Sequence, residues 1–415
     1  MDIKTKYHYT YFLNPFVVDK SKYEKFLDKI VSDPKWNYKM FNKVKDMEIY
    51  THFLAQAKEF MFPSFYFDDK YKEKLANLKG RKLAKELAKI TTVEFEYDLN
   101  DLFQMQGKIE EKEQIFFDIS QLKLICFNTG ICFLVFKTHI LEEDSVSFRD
   151  LLNFNYKFKE LSSPYAKFKG NDNIYIQTNQ FESLSSLSDF INSITSGYVT
   201  FDNDDIYSDR MFVYSYACID ESDWNNEQKF ELIEDNFYKF AFQFSGDYSS
   251  EIELSDQEYK DIIYSKWKYS KYGFTKLGGV VFCSAIDQFN YTKLPIHYEN
   301  VSFYIMLLAF YQRVSLLTID NEIKMSKGNN IEYLSKSISK ILISTKITQI
   351  SNSEHGMSLW NNWYKAFEIE KLYSNLEKEY ERWNDKVKEK RSSLFNAVTM
   401  VLLLLIYYIL LSNLN

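Results

Sequence analysis

The sequence predicts an α+β body, with a mixed and partly antiparallel sheet and helices, followed by a long helical stalk and one C-terminal transmembrane helix. Three observations support this fold class. Apolar β-rich runs are concentrated before Pro295, long helical patterns follow it, and an uncharged apolar stretch lies near the C-terminus. We therefore expect an α/β domain at residues 1–295, a helical stalk at 296–391, and a transmembrane helix with a short outer tail at 392–415.

The clearest strand signal in the body is a hairpin over Leu122–His139. Its two apolar runs flank Asn128-Thr129-Gly130, a short loop that supplies the positive φ of a hairpin turn. Tyr7–Val18 is predicted as an opening strand that enters a turn at Asn14-Pro15. Thr92–Asp98 is predicted as a half-buried strand because its residues alternate. Further strands are predicted at Met211–Ile219 and Gly278–Ser284, and helices at Ser21–Val31, Lys70–Ile90, Gln180–Ile194 and Asn225–Phe242.

Three long helices are predicted after Pro295. They run from about Glu299 to Lys324, over Ile331–Ile350, and from near Glu354 without a break into the membrane. Apolar residues of the third helix recur at alternating spacings of 4 and 3, which is a heptad seam. This seam predicts contacts between copies of the chain, and packing of the helix on its own body is the alternative. The seam residues are Ile369, Tyr373, Leu376, Tyr380, Trp383 and Val387.

The C-terminal stretch Leu394–Leu411 contains no charged residue. A helix of that length spans ~27 Å, close to the roughly 30 Å hydrocarbon core of a bilayer. We therefore predict one transmembrane helix, and a buried helix of a large soluble core is the alternative. The nearest competing stretch, Ser302–Leu317, is interrupted by Gln312 and Arg313, so no second span is expected.

The residues beside this stretch predict its orientation. Lys386, Lys388, Lys390 and Arg391 precede it, whereas residues 412–415 are uncharged. Because positive flanks stay inside, we expect the body in the cytoplasm and the C-terminus outside the inner (cytoplasmic) membrane. The N-terminal residues MDIKTKYHYTYF have no apolar core of a signal peptide, so a single-pass protein with lipid as a partner is predicted.

Composition and motif spacing argue against several functional classes. A net charge of −7 provides no basic footprint, so direct nucleic-acid binding is not expected. The four cysteines have no CxxC spacing and are predicted to be small buried hydrophobes. The sequence has no P-loop, no nucleophile elbow and no HExxH, so we predict no catalytic residue, no metal ligand and no enzyme activity. The acidic clusters Asp202–Asp205 and Glu110-Glu111 are either divalent-cation sites between subunits or solvated loops.

The predicted architecture resembles that of the CorA-like divalent-cation channel family. It consists of a body, a helical pair, a stalk, a basic collar (Lys386, Lys388, Lys390 and Arg391) and a membrane helix, in that order. Ile350–Glu381 (ISNSEHGMSLWNNWYKAFEIEKLYSNLEKEYE) looks like the stalk segment of the branch associated with type III CRISPR systems. The opening YHYTYFLNPFVV and the hairpin LICFNTGICFLVF are also similar. The family has a Gly-Met-Asn signature and a second membrane helix, whereas this chain reads Leu411-Ser412-Asn413-Leu414-Asn415, so the magnesium filter is not carried over.

The resemblance implies a homo-oligomer, in the family a pentamer, whose cytoplasmic bodies form a funnel above a helix-lined channel. It also implies a nucleotide messenger made after viral RNA is detected, and a divalent cation such as Mg as the one cofactor to consider. The expected function is a membrane effector that forms or gates an ion-permeable pore in antiviral defence. The alternatives are a non-conducting tail-anchored scaffold or receptor, and a membrane-anchored enzyme.

If the predicted transmembrane helix Leu394–Leu411 lines a pore, one stripe of this helix should face water. Asn396, Thr399, Leu403 and Tyr407 lie on one such stripe, with Leu403 as an apolar constriction. The polar members either touch ions or hydrogen-bond between helices.

Two further residues of the helical region are candidates for a function. Arg313 lies in an apolar helix and needs a partner, which is either an anionic ligand or an acidic stretch such as Asp320–Glu322. His355, near the start of the third helix, is interpreted as a pH or metal site, or as a capping or hinge residue.

Overall fold

The computed structural model describes residues 3–99, 105–109, 115–142, 145–161, 174–178, 181–195, 197, 210–220, 224, 227–248, 258, 261–325, 347–379, 381–382, 385 and 400. Its strands are β1 (Thr5–Val17), β2 (Trp36–Lys39), β3 (Thr92–Tyr97), β4 (Met105–Ile109), β5 (Ile115–Phe127), β6 (Ile131–Leu141), β7 (Ile174–Thr178), β8 (Phe181–Ser186), β9 (Phe212–Ile219), β10 (Ile263–Trp267), β11 (Ser270–Phe274) and β12 (Gly278–Ser284).

The helices alternate with these strands and dominate after residue 289. They are α1 (Tyr23–Ser32), α2 (Met47–His52), α3 (Ala55–Met61), α4 (Asp69–Asn77), α5 (Gly80–Leu87), α6 (Phe148–Phe158), α7 (Leu187–Ile194), α8 (Glu227–Ala241), α9 (Phe289–Thr292), α10 (Leu294–His297), α11 (Phe303–Met325) and α12 (Glu354–Ala366), with a 3-10 turn at Pro63–Tyr66 and a π-helical turn at Tyr298–Ser302.

The described strands form one sheet with the order β10-β11-β12-β9-β1-β6-β5-β4-β7-β8, in which β3 also pairs with β5, and β2 with β3. Neighbouring described strands are antiparallel except for β12 and β9, which run parallel. The prediction of an α+β body with a mixed, partly antiparallel sheet is therefore confirmed. The strand β1 lies between β6 and β9, near the middle of the sheet. The turn predicted at Asn14-Pro15 was wrong, because β1 continues through both residues to Val17 and pairs there with β6.

The central hairpin forms where the sequence predicted it. Gly130 closes the turn with φ of +95°, and a Cβ at this position would lie 2.2 Å from the carbonyl oxygen of Val18. The same close approach lets the Val18 N–H donate to the Gly130 carbonyl at 2.8 Å. The glycine therefore serves both the turn and the attachment of β1 to β6.

Both faces of the central strands are covered, so their sequences read as near-continuous apolar runs rather than as strict alternation. On one face Phe12 of β1 contacts Phe154 of α6 in the main core. On the other face Tyr11 and Tyr214 contact Phe303 of α11. The four cysteines are not joined in disulfide bonds, and their side chains are buried, as predicted. They are Cys126, Cys132, Cys218 and Cys283.

Two of the predicted helices are wrong in part. Lys70–Ile90 is two helices, α4 and α5, separated near Gly80, whose φ of +50° an uninterrupted helix does not contain. Gln180–Ile194 begins as the strand β8, which pairs with β7, and becomes helical only at Leu187. The predicted helix at Asn225–Phe242 is confirmed as α8.

The chain divides into two compact units, one of Met1–Tyr311 with Ile347–Phe367, and one of Gln312–Lys346 with Glu368–Asn415. The predicted domain boundaries at 295/296 and 391/392 stay a prediction. Among the described residues one helix, Leu294–Lys324, is long and apolar enough to cross a membrane. Of its most apolar 18-residue window, 83% is buried inside the protein, which is typical of a core helix. The expectation that Gln312 and Arg313 would break this stretch below spanning length was wrong.

The predicted transmembrane stretch Leu394–Leu411 lies outside the described residues except for Met400, so it stays a prediction. A long helical stalk is not evident in the described part of the chain. The helix α12 begins at Glu354, as predicted, but ends at Ala366, because Glu368 adopts φ of +52° before the chain becomes helical again over 369–379. Residues 347–350, predicted as helix, are not helical, and the Ile350 carbonyl accepts the Leu54 N–H at 2.8 Å.

The predicted oligomer seam is described only over its first half. Ile369 and Leu376 are 3% and 1% exposed within a single chain, which is what the alternative of intramolecular packing expects. Tyr373 is half-buried. Tyr380, Trp383 and Val387 lie outside the described residues. The seam itself stays a prediction.

Candidate functional site

The first unit contains a cavity of about 520 Å³ beside the edge hairpin β10–β11. We call it the aromatic pocket, because six of its lining side chains are aromatic or imidazole rings. Its lining residues are Trp267, Lys268, Tyr269, Ser270, Tyr272, Asp287, Phe289, Asn290, Leu294, His297 and His355. A cavity of this size and lining is typical of a small-molecule site.

The hairpin presents one wall of the pocket. Trp267 pairs with Ser270 across the two-residue turn, and its indole ring is exposed beside the cavity. The Lys268 ammonium lies 5.2 Å from the Tyr269 ring centroid, a cation–π distance. Phe289, at the start of α9, is the second exposed ring. Two exposed aromatic rings at one cavity form a surface on which a planar ligand can stack.

Asn290 holds the turn of the hairpin in place. Its Nδ2 donates to the Tyr269 carbonyl at 3.1 Å and to the Ser284 carbonyl at 2.9 Å. The Ser284 N–H also donates to the Tyr269 carbonyl, at 3.0 Å. The Tyr216 hydroxyl donates to the Asn290 carbonyl. These bonds connect the pocket wall to the central strand β9, so the wall is built into the sheet.

Tyr272 is the buried polar group of the pocket. Its side chain is 1% exposed, and its hydroxyl has no hydrogen-bond partner among the described residues. Burial, followed by Cys283 and Tyr264, raises the pKa of this phenol, so it stays a neutral donor at physiological pH. An unsatisfied buried hydroxyl costs roughly 1–3 kcal/mol, which a bound polar ligand would recover.

Two histidines come to the pocket from different helices. His297 closes α10, and its Nδ1 lies 2.8 Å from Oε1 of Glu48. His355 lies in the first turn of α12, stacked on Tyr264 at 5.8 Å and edge-on to Trp267 at 4.8 Å. Burial, followed by the nearby His297, His52 and Lys266, lowers the pKa of His355 to about 4, so its ring is a neutral stacking partner at pH 7.

The capping role suggested for His355 is performed by Ser353, two residues before it. Ser353 is the N-cap of α12, and its Oγ accepts the Gly356 N–H at 3.3 Å. The His355 and His297 rings lie 6.1 Å apart, and the His297 and His52 rings 5.7 Å apart. In the described part of the chain no group of three His, Cys, Asp or Glu side chains is arranged to hold a metal ion.

Most of the predicted site residues do not meet in this pocket. Asn396, Thr399, Leu403 and Tyr407 lie outside the described residues, as do Asp202–Asp205 and Glu110-Glu111. Arg313 is half-buried on α11 in the second unit. Asp320, one of its suggested partners, pairs with Lys324 at 2.6 Å.

Sequence reasoning did not identify the pocket, apart from His355. The one local signal was the density of aromatic residues over 264–272, where Tyr264 and Tyr272 pair across the hairpin. That signal gives no indication that residues 287–297 and 355 would pack beside the hairpin.

Comparisons of the chain with protein-family models, with curated proteins and with solved structures found no match. The resemblance to CorA-like proteins therefore stays a prediction that rests on the residues quoted above.

Proposed function

We propose that the chain is a membrane-anchored homo-oligomeric effector, resembling CorA-like channels, in which a nucleotide messenger binds the aromatic pocket and controls an ion-permeable pore. The observation that carries this proposal is the buried Tyr272 hydroxyl, which has no partner among the described residues and lies in a cavity walled by exposed rings. It supports binding of a planar ligand that offers a hydrogen-bond acceptor. The pore and its role in antiviral defence rest on the sequence resemblance.

The lining of the pocket fits the parts of a nucleotide. A base would stack on Trp267 or Phe289, and stacking of a base on an aromatic side chain contributes about 1–3 kcal/mol. The Tyr272 hydroxyl would donate to a ring nitrogen or carbonyl of the base. Lys268, exposed at the cavity, would attract a phosphate.

The position of the pocket in the chain suggests how binding could be transmitted. His297 closes α10, which leads through the π-helical turn into α11, and α11 continues into the second unit. His355 opens α12, and the chain enters the second unit two residues after α12 ends. A ligand that contacts both histidines more favourably in one arrangement of these helices would shift the protein towards that arrangement.

The membrane part of the proposal rests on the uncharged stretch Leu394–Leu411 and its basic collar. One helix cannot enclose a pore, so conduction requires several copies, with five the number that the resemblance implies. Asn396, Thr399, Leu403 and Tyr407 would face the pore, and a divalent cation such as Mg is the candidate permeant or regulatory ion. The body would lie in the cytoplasm and make no direct contact with nucleic acid.

A second candidate function is a non-conducting tail-anchored scaffold. The burial of Ile369 and Leu376 within one chain favours it, because those side chains are then unavailable to a neighbouring copy. Light scattering on the detergent-purified chain separates the two functions, since a monomer supports the scaffold and contradicts the channel.

The direct test is ion flux from liposomes that contain the full chain, measured with and without a panel of mono- and dinucleotides. We expect at least one nucleotide to raise the flux, Trp267→Ala to abolish that response, and Leu403→Ser to raise the flux without ligand. Val44→Ser, a change at an exposed residue far from the pocket in sequence, is the control for reconstitution. Flux that is unchanged in both Asn396→Leu and Leu403→Ser would contradict the pore assignment.

A further inference from the structure

A second cavity of about 520 Å³ lies in the first unit, where the C-terminal ends of α6 and α8 approach each other. We call it the Arg210 pocket. It shares no lining residue with the aromatic pocket. Its walls are formed by Tyr156, Lys159, Glu160, Arg210, Phe242, Gln243, Phe244, Ser245, Asp247, Tyr248 and Leu277.

Gln243 occupies a backbone position that usually requires glycine. Two hydrogen bonds end α8 there, from Gln243 N–H to the Phe240 carbonyl at 3.2 Å and from Phe244 N–H to the Lys239 carbonyl at 2.8 Å. In this motif the residue after the helix takes a left-handed conformation, and Gln243 does so with φ of +58°. A side chain at this position is strained relative to glycine, which indicates that the amide group has a use of its own.

The Gln243 amide is only half satisfied. Its Nε2 donates to the Phe240 carbonyl at 2.7 Å, whereas its Oε1 is buried and has no partner among the described residues. Gln243 as a whole is 1% exposed and lines the cavity. The pocket therefore contains a buried acceptor that requires an N–H or O–H donor.

Cationic groups lie at the same cavity. Arg210 bonds the Glu160 carboxylate through Nε at 3.1 Å, and within the described chain this is its one carboxylate partner. The described residues give the terminal nitrogens of its guanidinium group no carboxylate partner, so these nitrogens can bind an anion. Lys159 also lines the cavity, and its ammonium donates to the Gln243 carbonyl at 2.8 Å. The other carboxylate of the lining, Asp247, is already paired with Arg149 at 2.6 Å.

A stack of rings follows from the end of α8. Phe242 and Phe244 are stacked at 5.8 Å between centroids, and Phe244 and Tyr248 at 4.5 Å. Tyr248 ends the stack and is exposed. The stack can therefore accept one more planar ring on its outer face.

We propose that the Arg210 pocket binds a planar aromatic ring that carries an anionic group and an amino group. The ring stacks on Tyr248, the anion bonds the Arg210 guanidinium, and the amino group donates to Gln243 Oε1. Two sources of this chemistry exist, an aminopurine nucleotide and an amino-substituted aromatic carboxylate. The site is independent of the aromatic pocket and of any pore.

The test is isothermal titration of the full chain in detergent with four probes. AMP and 4-aminobenzoate each carry the ring, the anion and the amino group, whereas adenosine lacks the anion and inorganic phosphate lacks the ring. We expect AMP or 4-aminobenzoate to bind at least about tenfold more tightly than adenosine and phosphate. Adenosine cannot form the charged hydrogen bond to Arg210, and phosphate cannot stack on the rings. Tight binding of AMP but not of 4-aminobenzoate identifies a nucleotide as the ligand. Tight binding of 4-aminobenzoate but not of AMP identifies an aromatic carboxylate.

Two substitutions assign the binding to this pocket. Arg210→Gln should weaken the tighter probe about tenfold or more while leaving any adenosine binding unchanged. Gln243→Gly should weaken the same probe while maintaining or raising the melting temperature, since glycine suits the left-handed backbone. A residue with a merely structural role would not weaken binding while stability is retained.

Val44→Ser, at an exposed residue that lines neither pocket, is the matched control and should leave the affinity unchanged. The proposal is overturned if neither AMP nor 4-aminobenzoate binds, or if affinity is lost in Trp267→Ala and retained in Arg210→Gln. The second result would place the binding in the aromatic pocket and would support the proposed function while overturning this proposal. Failure of the proposed function is instead read from an ion flux that no nucleotide changes, so the two failures are distinguishable.

Discussion

The Tyr304 hydroxyl donates to Oε2 of Glu94 at 2.8 Å, and both side chains are buried although 210 positions separate them in the chain. Lys39 and Lys123 lie 3.3 and 3.7 Å from Oε1 of the same carboxylate. Burial acts to raise the pKa of Glu94, but Lys123, Lys39 and the Tyr304 hydroxyl together hold it below its ordinary value. This buried cluster connects α11 to the strands β3 and β5.

We predict that Glu94→Gln destabilises the protein by about 3–5 kcal/mol, because it leaves the buried Lys123 ammonium without its counter-charge. The free energy of unfolding from urea titration measures the loss. A second change, Lys123→Met, should recover part of it, since the paired charges are then both absent. If Glu94→Gln did not change the urea midpoint of unfolding, the assignment of a structural ion pair would be contradicted.

A buried histidine should make the stability depend on pH. Burial, followed by the nearby His139, lowers the pKa of His8 to about 4 from its ordinary 6.5. The His8 Nε2 accepts the Ile140 N–H at 3.1 Å, which requires the neutral ring. Between about pH 6.5 and 4 the unfolded chain therefore binds a proton at His8 that the folded chain does not bind. The contribution of His8 to the free energy of unfolding is fully present above about pH 6.5 and is lost as the pH falls towards 4.

His8→Gln should reduce that dependence, because glutamine retains an acceptor for the Ile140 N–H and does not titrate. We expect the loss of unfolding free energy between pH 7.5 and 5 to shrink by ~1–2 kcal/mol relative to the wild type. Chemical denaturation at the two pH values gives the comparison. An equal loss in both proteins would show that His8 does not contribute.

The Tyr272 hydroxyl, to which the described part of the chain gives no partner, leads to a prediction about stability as well as binding. Without ligand, Tyr272→Phe should leave the protein unchanged or stabilise it by up to about 1–3 kcal/mol, because a buried donor without a partner is removed. Thermal melting of the ligand-free chain measures this change. Tyr214→Phe is the matched control, since the Tyr214 hydroxyl donates to the Tyr298 carbonyl at 3.2 Å and its removal should destabilise by roughly 1 kcal/mol. Equal losses in the two variants would mean that Tyr272 has a partner.

The left-handed residue Glu368 is a site for stabilisation. Glu368→Gly should raise the unfolding free energy by about 1 kcal/mol, because φ of +52° is unfavourable for a residue with a Cβ. The pair with Lys371 at 3.6 Å is exposed and contributes little. In contrast, Glu370→Gly, two residues on in a helical segment, should destabilise by about the same amount. Melting temperatures of the two variants that move in the same direction would contradict the argument.

The elements that the sequence predicted well are those that local chemistry determines. The hairpin at Leu122–His139 depends on Gly130 and on apolar runs beside it, and α12 begins just after the serine that caps it. The strand β8 was missed because apolar residues at 181, 184 and 187 match a helical spacing, whereas pairing with β7 determines the conformation.

The two pockets could not be predicted from local patterns. The aromatic pocket combines the hairpin at 263–274 with residues 287–297 and 355, and the Arg210 pocket combines the ends of α6 and α8 with residue 210. Each combination depends on which distant strands pair, and the parallel pairing of β9 with β12 places the edge hairpin where α12 begins. Spacing along the chain contains no information about such contacts.

The central position of β1 has a consequence for biosynthesis. This strand is made before both of its neighbours, β6 and β9, which end at Leu141 and Ile219. During translation the nascent chain must therefore keep a tyrosine- and phenylalanine-rich segment from aggregating until the chain as far as Ile219 has emerged from the ribosome. Efficient production of this protein should consequently depend on chaperones that hold its N-terminal segment.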